Sequence, residues 1–195
     1  MIKLVGRSAV AVVVLTVVFG LAYPLVFTGF AQLVFSDKAD GSLIEQGGTV
    51  VGSRLAAQPF TEPRYFHPRP SATAPAYNAA ATTFANLGPT SADLAKSVRR
   101  RALAILKLER PYNPRLTIGD IPVDAVTTSA SGIDPHISPA NARLQAARVA
   151  TVRGLSSDTV SKLIDEHTDG RWLGLFGEPG VNVLELNLAL DRESS

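Results

Sequence analysis

The sequence predicts an α+β fold: one N-terminal transmembrane helix, then a soluble domain with a small mixed sheet and several helices. Three observations predict it. The stretch from Ser8 to Ser36 contains no Asp, Glu, Lys or Arg. At 1.5 Å per residue, its core from Ala9 to Phe30 exceeds the ~30 Å hydrocarbon thickness of a bilayer. Helix start and stop signals recur at Ser91, at Ser138-Pro139 with Gly154, and at Ser157-Asp158. Between them lie short β-like runs at Thr49–Gly52, Ile121–Thr128 and Val181–Leu190.

The apolar run reads as an uncleaved anchor. A signal peptide has an apolar region of about 7–15 residues followed by a small-x-small cleavage site. This run is longer, and its end, Leu33-Val34-Phe35-Ser36, offers no such site. A lipoprotein anchor requires cysteine, and the chain has 0. Pro24 lacks an N–H, so a kink is expected there, with the Gly20 carbonyl left for a neighbouring group to cover. Thr16, Gly20 and Pro24 recur at helical spacing and share a face. Small and hydroxyl residues on one face favour close helix–helix contact, so this face is a candidate partner contact.

Charge sets the topology and excludes a function class. Of 19 Lys and Arg, Lys3 and Arg7 precede the anchor, leaving 17 against 17 Asp and Glu from Asp37 onward. A neutral domain argues against nucleic acid as a partner. Lys3 and Arg7 place the N-terminus in the cytoplasm by the positive-inside rule. The expected organisation is therefore a cytoplasmic N-terminus over residues 1–7, a transmembrane helix over 8–36 and an extracytoplasmic α+β domain over 37–195, in a single-pass protein of the cell membrane.

The domain is read in order. Gly41–Ile44 and Gly47-Gly48 form a turn-rich exit from the membrane, and Thr49–Gly52 a short strand. Phe60–Asn78 is dense in Pro and aromatics, which excludes helix and predicts an ordered, packed loop. Thr82–Thr90 is a second loop. A helix starts at Ser91, with Leu94, Val98, Leu103 and Leu106 for its buried face, and stops before Pro111. Its Arg99-Arg100-Arg101 triplet reads as a solvated face. Ile121–Thr128 reads as a strand with an edge-type proline. Helices follow from Pro139 to Gly154 and from Ser157, the latter burying Val160, Leu163 and Ile164. Val181–Leu190 reads as a final strand.

Familiar chemistries are weakly supported. The two helices around Gly154 resemble a helix-turn-helix, but the second carries Asp158, Asp165, Glu166 and Asp169, which repel a phosphate backbone. His67, His136 and His167 have no paired metal-ligand spacing, so no metal is expected. Asp134-Pro135-His136 with Ser129 or Ser131 would make an external hydrolase, yet there is no Gly-x-Ser-x-Gly elbow, and a turn leading into a capped helix accounts for these residues. No phosphate-cradling Gly-rich loop is present. The residues alone describe a membrane-anchored, non-catalytic interaction domain.

Several long segments carry a resemblance: Ala39–Ile44, Tyr65–Ala72, Asn86–Thr90, Ile121–Pro139 and Val181–Asp191. In order and spacing they resemble the C subunit of the Kdp potassium-transporting ATPase, the KdpC family. The resemblance implies a complex with a channel-like potassium-binding A subunit, a P-type ATPase B subunit and a small hydrophobic F subunit. It further implies that ATP, Mg2+ and K+ are handled by the complex, with no cofactor bound by this chain. The P-type Asp-Lys-Thr-Gly motif is absent from the sequence, so an accessory role in assembly and potassium import is expected. The alternative that the resemblance carries is a chaperone raising the ATP affinity of the ATPase subunit. Its proposed nucleotide signature, Leu-Ser-x-x-Gln, falls on Leu155–Thr159, where Thr159 replaces the Gln. Pro68 stands where the family usually has Gly. In this setting the Thr16, Gly20 and Pro24 face is expected to meet the channel-like subunit. The candidate contacts of the domain are Tyr65, Phe66, His67 and Arg69 in one loop, with Ser131, Asp134 and His136 in another.

Overall fold

The apolar segment is helical almost from the first residue in the computed structural model, which describes residues 2–193. Helix α1 spans Ile2–Val17 and α2 spans Tyr23–Val34, joined by a π turn over Val18–Ala22. The kink expected at Pro24 takes the form of that wide turn. The Tyr23 N–H reaches back to the Val18 carbonyl, so the backbone widens just ahead of the proline ring instead of breaking. Together they form one 33-residue helix long and apolar enough to cross a membrane, with none of its most apolar stretch buried.

A short helix α3 (Ser36–Ala39) follows, then a two-stranded hairpin of β1 (Leu43–Gln46) and β2 (Thr49–Ser53). Leu43-Ile44 is thus strand, not turn. Gly47 (φ 57°) and Gly48 (φ 78°) make the reversal, the left-handed pair that a two-residue hairpin requires.

From Gly52 onward the chain forms a second unit of its own. The Phe60–Asn78 and Thr82–Thr90 segments contain no helix or strand, as expected. Helix α4 (Ala92–Glu109) is capped by the Ser91 side chain, which accepts from the Leu94 N–H. Its buried stripe is Ala102, Leu106 and Glu109. Leu103, assigned above to that face, lies one residue round the helix and is exposed. Arg99 and Arg100 are solvated, while Arg101 donates to the Val126 carbonyl at 2.9 Å.

Ile121–Thr128 is not a strand. It holds a single helical turn, α5 (Val123–Val126), preceded by a 3-10 turn at Ile118–Asp120. Its apolar alternation was overridden by a side chain. Asp124 accepts from the Ser138 N–H and Oγ (both 2.8 Å) and from Asn141 Nδ2 (2.9 Å), which pins this turn to the start of the next helix. That helix, α6 (Pro139–Arg153), has the expected Ser138 cap and ends at Gly154 with φ 67°. Helix α7 (Ser157–Glu166) follows and buries Val160, Leu163 and Ile164.

The sheet is small: β3 (His136–Ile137), β4 (Thr168–Asp169) and β5 (Gly180–Asn182) pair antiparallel in the order β3-β5-β4. Ile137 sits opposite Val181, and Thr168 opposite Val181 on the other side. The rest of the expected final strand is helix α8 (Val183–Glu193). Leucines at 184, 186, 188 and 190 fit a two-residue period, but Val183, Leu186, Asn187 and Leu190 also fit i, i+3, i+4, i+7, and that is the face that is buried. Asn182 starts the helix by accepting from the Glu185 N–H at 3.2 Å. The core gathers α6, α7, α8 and the sheet around Phe66, Ile137, Val149, Val160, Ile164, Val181, Leu186 and Leu190.

Candidate functional site

The two candidate loops are brought together. Arg69 donates through Nη1 to Asp134 Oδ2 at 3.1 Å and through Nη2 to the Thr128 carbonyl at 3.3 Å. Ser71 Oγ donates to the Gly132 carbonyl at 2.7 Å. Gly132 has φ 73°, and a Cβ there would stand 2.8 Å from Thr73 Cγ2 in the Phe60–Asn78 loop and 2.8 Å from the Thr83 carbonyl oxygen. Only glycine allows the two loops to lie this close.

The first loop owes its order to side chains of α6 and α8, which act as a surrogate sheet edge. Asn187 pairs with both backbone groups of Phe66: the Phe66 N–H donates to Oδ1 (2.8 Å), and Nδ2 donates to the Phe66 carbonyl (2.9 Å). Gln145 does the same for His67, at 2.8 and 3.1 Å. Arg148 donates to the carbonyls of Pro63 and Tyr65, to Gln145 Oε1 and to Glu109 Oε1. Of the backbone groups so held, those of Phe66 belong to a fully buried residue, where no water would take their place. Asn187, Gln145, Arg148 and Glu109 were missed by sequence reasoning. The signal was present as polar residues at buried helix positions, Asn187 between two leucines among them.

The candidate contacts therefore differ in what they present. The Phe66 side chain is enclosed in the core. Tyr65 is half-buried, donates to Asp191 Oδ2 at 3.1 Å, and has the guanidinium carbons of Arg64 and Arg153 at 5.1 and 4.9 Å from its ring centre. Burial, then the Asp191 carboxylate, raises its pKa. His67 is half-buried with Nε2 at 3.1 Å from the Glu62 carbonyl. Burial and the charge of Arg148 lower its pKa, against the opposing hydrogen bond to the Glu62 carbonyl. Ser131 is exposed, and its Oγ accepts from the Ile133 N–H.

Asp134 and His136 form the second loop's charged corner. Asp134 Oδ1 accepts from the His136 N–H at 3.0 Å and lies 3.8 Å from His136 Nδ1, while Asp169 Oδ2 lies 3.5 Å from Nε2. The Asp134 carboxylate raises the His136 pKa against the opposing effect of burial, and Asp169 adds to it. Burial pushes the Asp134 pKa up, but His136 and Arg69 outweigh it and the net shift is downward. The raised histidine stabilises the fold fully below its unfolded value of 6.5 and loses that effect as pH rises through its folded value. The lowered carboxylate stabilises above 3.8 and loses that effect as pH falls. This corner is thus tightest between those values and loosens on the alkaline side. His67, whose pKa is lowered, contributes a slope of the opposite sign over the same range, so the corner is read as a difference: from about pH 5 to pH 8 the urea midpoint of the unaltered protein should fall relative to that of His136→Gln. A constant difference between the two would show that the corner carries no proton linkage.

Among the described residues, no three of His, Cys, Asp or Glu are placed to hold a metal ion. His167 Nδ1 is occupied by the Leu163 carbonyl at 2.8 Å. At Leu155–Thr159, the Ser156 side chain caps its own helix, accepting from the Thr159 N–H at 3.0 Å, and its Oγ lies 2.8 Å from Thr159 Oγ1.

In the apolar helix, a Cβ on Gly20 would meet Thr16 Cγ2 at 3.8 Å, so these two share a face as expected. A second feature of that helix went unread: Phe19, Tyr23 and Phe27, four residues apart, form an aromatic ladder with ring centres 6.5 and 4.4 Å apart. Its large apolar side chains, Phe19, Leu25, Phe27 and Phe30 among them, are exposed.

Comparison with known proteins bears on both regions. The sequence pattern of "K+-transporting ATPase, c chain" (KdpC) matches residues 5–192. The chain is 50% identical over 184 residues to the potassium-transporting ATPase KdpC subunit of Koribacter versatilis, covering 94% of this chain and 92% of that one. It is 52% identical to that of Myxococcus xanthus, covering 95% and 85%. It is 51% identical to that of Mycobacterium tuberculosis strain H37Rv, covering 92% and 93%.

Proposed function

Because this chain belongs to the KdpC family, the c chains of the potassium-transporting ATPase, we propose that it works by holding the catalytic and ion-conducting subunits of that pump in one assembly. It is an accessory subunit, membrane-associated through one span. The partners proposed are the channel-like potassium-binding A subunit, the P-type ATPase B subunit and the small hydrophobic F subunit, which between them handle ATP, Mg2+ and K+.

The single observation that carries this reading is the helix Ile2–Val34, which has none of its most apolar stretch buried within the chain. Lipid covers apolar side chains but does not satisfy backbone polar groups. The wide turn at Val18–Ala22, next to Pro24 and the Thr16–Gly20 face, is where a partner helix gains most from close approach. The domain is proposed to lie outside the cell. It offers Tyr65, His67, Arg69, Ser131, Asp134 and His136 as its contact surface, with Phe66 as the buried pin beneath.

Deleting residues 52–195 tests the assembly role. The expected result is that the remaining subunits separate on size-exclusion chromatography in detergent, while the isolated ATPase subunit still hydrolyses ATP. Intact co-elution of the others would overturn it. A reporter fused at the C-terminus, active only outside or only inside the cell, tests the orientation. A cytoplasmic result would favour the nucleotide-affinity reading instead.

A further inference from the structure

The loop between β4 and β5 groups large apolar side chains at its surface along one short stretch, Trp172–Phe176. Trp172, Leu173, Leu175 and Phe176 are 69%, 71%, 78% and 60% exposed. The tip is folded: the Trp172 N–H donates to the Phe176 carbonyl at 2.8 Å, and Phe176 N–H to the Trp172 carbonyl at 3.0 Å. The reversal passes through Leu173 (φ 52°) and Gly174 (φ 73°). A leucine is an uncommon choice for left-handed backbone, and here it directs an apolar side chain outward from the turn. Below the tip, Arg171 Nη2 donates to both oxygens of Glu178, at 3.0 and 2.9 Å, which closes the loop's neck. The Trp172 and Phe176 rings lie 5.8 Å apart. Four large apolar side chains contiguous on one folded tip need a cover, since exposed patches of this kind mark an interaction site.

We propose that this tip inserts into the headgroup region of the lipid bilayer. The chain itself supplies the bilayer: its apolar helix ends at Val34 and the soluble unit begins at Gly52. Residues 35–51 extend at most ~60 Å, so the tether keeps a bilayer within reach of the tip. Its chemistry suits that layer. Tryptophan, with an apolar body and one N–H donor, is the residue enriched at the membrane interface. Leucine and phenylalanine beside it enter the acyl boundary, while the Arg171–Glu178 pair stays at the level of polar headgroups. The tip carries no net charge to select anionic lipid, so zwitterionic lipid suffices. The contact works in either orientation of the chain, so it stands apart from the assembly reading. It would fix the height and tilt of the domain over the membrane.

Trp172 is the 1 tryptophan in the sequence, so its fluorescence reports the tip alone. The full-length chain is placed at one copy per phosphatidylcholine nanodisc, with acyl chains brominated either near the headgroup or near the methyl end. The expected result is loss of roughly half the emission with bromine near the headgroup and little loss with bromine at the methyl end, the depth at which interfacial tryptophan sits. The variant Leu173→Ser, Leu175→Ser, Phe176→Ser, which alters no buried residue, should abolish that quenching with an unchanged far-UV spectrum. Emission at the position of fully hydrated tryptophan, unquenched by either lipid, would overturn the proposal. So would blue-shifted emission without bromine quenching, since that reports a protein surface or a second copy as the cover.

Discussion

Arg148→Ala destabilises the soluble unit by about 3–5 kcal/mol, the cost typical of leaving one partner of a buried ion pair alone. The guanidinium is fully buried and Glu109 is 2% exposed. Four acceptors converge on it: Glu109 Oε1 at 2.8 Å, Gln145 Oε1 at 2.8 Å, and the carbonyls of Pro63 and Tyr65. Its removal leaves a buried carboxylate without its cation and the Pro63 and Tyr65 carbonyls without that donor. Burial already raises the Glu109 pKa, with the charge of Arg148 opposing it. In the variant nothing opposes burial, so Glu109 binds a proton in the folded state at a higher pH. A carboxylate raised in the folded state stabilises below its unfolded pKa and loses that effect as pH rises. The deficit should therefore shrink as pH falls. The double variant Arg148→Met with Glu109→Leu should recover part of the loss but not all, because the Pro63 and Tyr65 carbonyls stay unpaired. Urea unfolding of the full chain in detergent micelles, followed by near-ultraviolet tyrosine dichroism, measures all three. A single-variant loss under about 1 kcal/mol would show that water reaches this pair.

That network also explains what could and could not be read from the sequence. Helix ends with local chemistry were legible: Ser91, Ser138-Pro139 and Gly154 act within three or four residues of themselves, so their meaning is written in the neighbouring letters, and the helix expected from Ser157 does begin there, its cap being the preceding Ser156. The membrane span was legible for the same reason, as one long uncharged run. Ile121–Thr128 and the part of Val181–Leu190 beyond Asn182 were misread because their state is set by distant partners. Asp124 holds α5 by reaching Ser138 and Asn141. The leucines of α8 satisfy two periods at once, and only packing on Phe66, Val149 and Ile164 decides between them. The loop Phe60–Asn78 was correctly expected to be ordered, but not how. The proline-rich backbone has no sheet to join, and its partners lie some 80 to 120 residues away at Gln145, Arg148 and Asn187. No local pattern announces pairing at that separation. The resemblance to the KdpC family rested on these same segments. Tyr65–Ala72 and Val181–Asp191 carried it and, in the fold, meet through Phe66 and Asn187 and through Tyr65 and Asp191.

Asn187→Ala is expected to cost about 2–4 kcal/mol, because it leaves both the N–H and the C=O of Phe66 buried without partners. The neighbouring surface residue Glu185 provides the contrast. Its pairing with Arg54 at 2.8 Å is partly solvated, so Glu185→Gln should change stability by less than about 1 kcal/mol. The two variants also differ in where the damage appears. Both hydrogen bonds of the Asn187 side chain go to Phe66, so its loss should free residues 60–70 before the helices melt. Hydrogen exchange of the peptide covering Phe66 and His67 should accelerate strongly, while peptides from α6 and α7 keep their protection. If Tyr65, His67 and Arg69 form the contact surface of the assembled pump, the same variant should weaken complex assembly at a temperature where its helices remain folded. Asn187→Asp separates the two backbone bonds. It keeps the acceptor for the Phe66 N–H, loses the donor to the Phe66 carbonyl, and buries a charge, so it should be at least as damaging as alanine at neutral pH and recover on acidification. Unchanged exchange at Phe66 in both variants would mean that Gln145 and Arg148 hold the loop without help from α8.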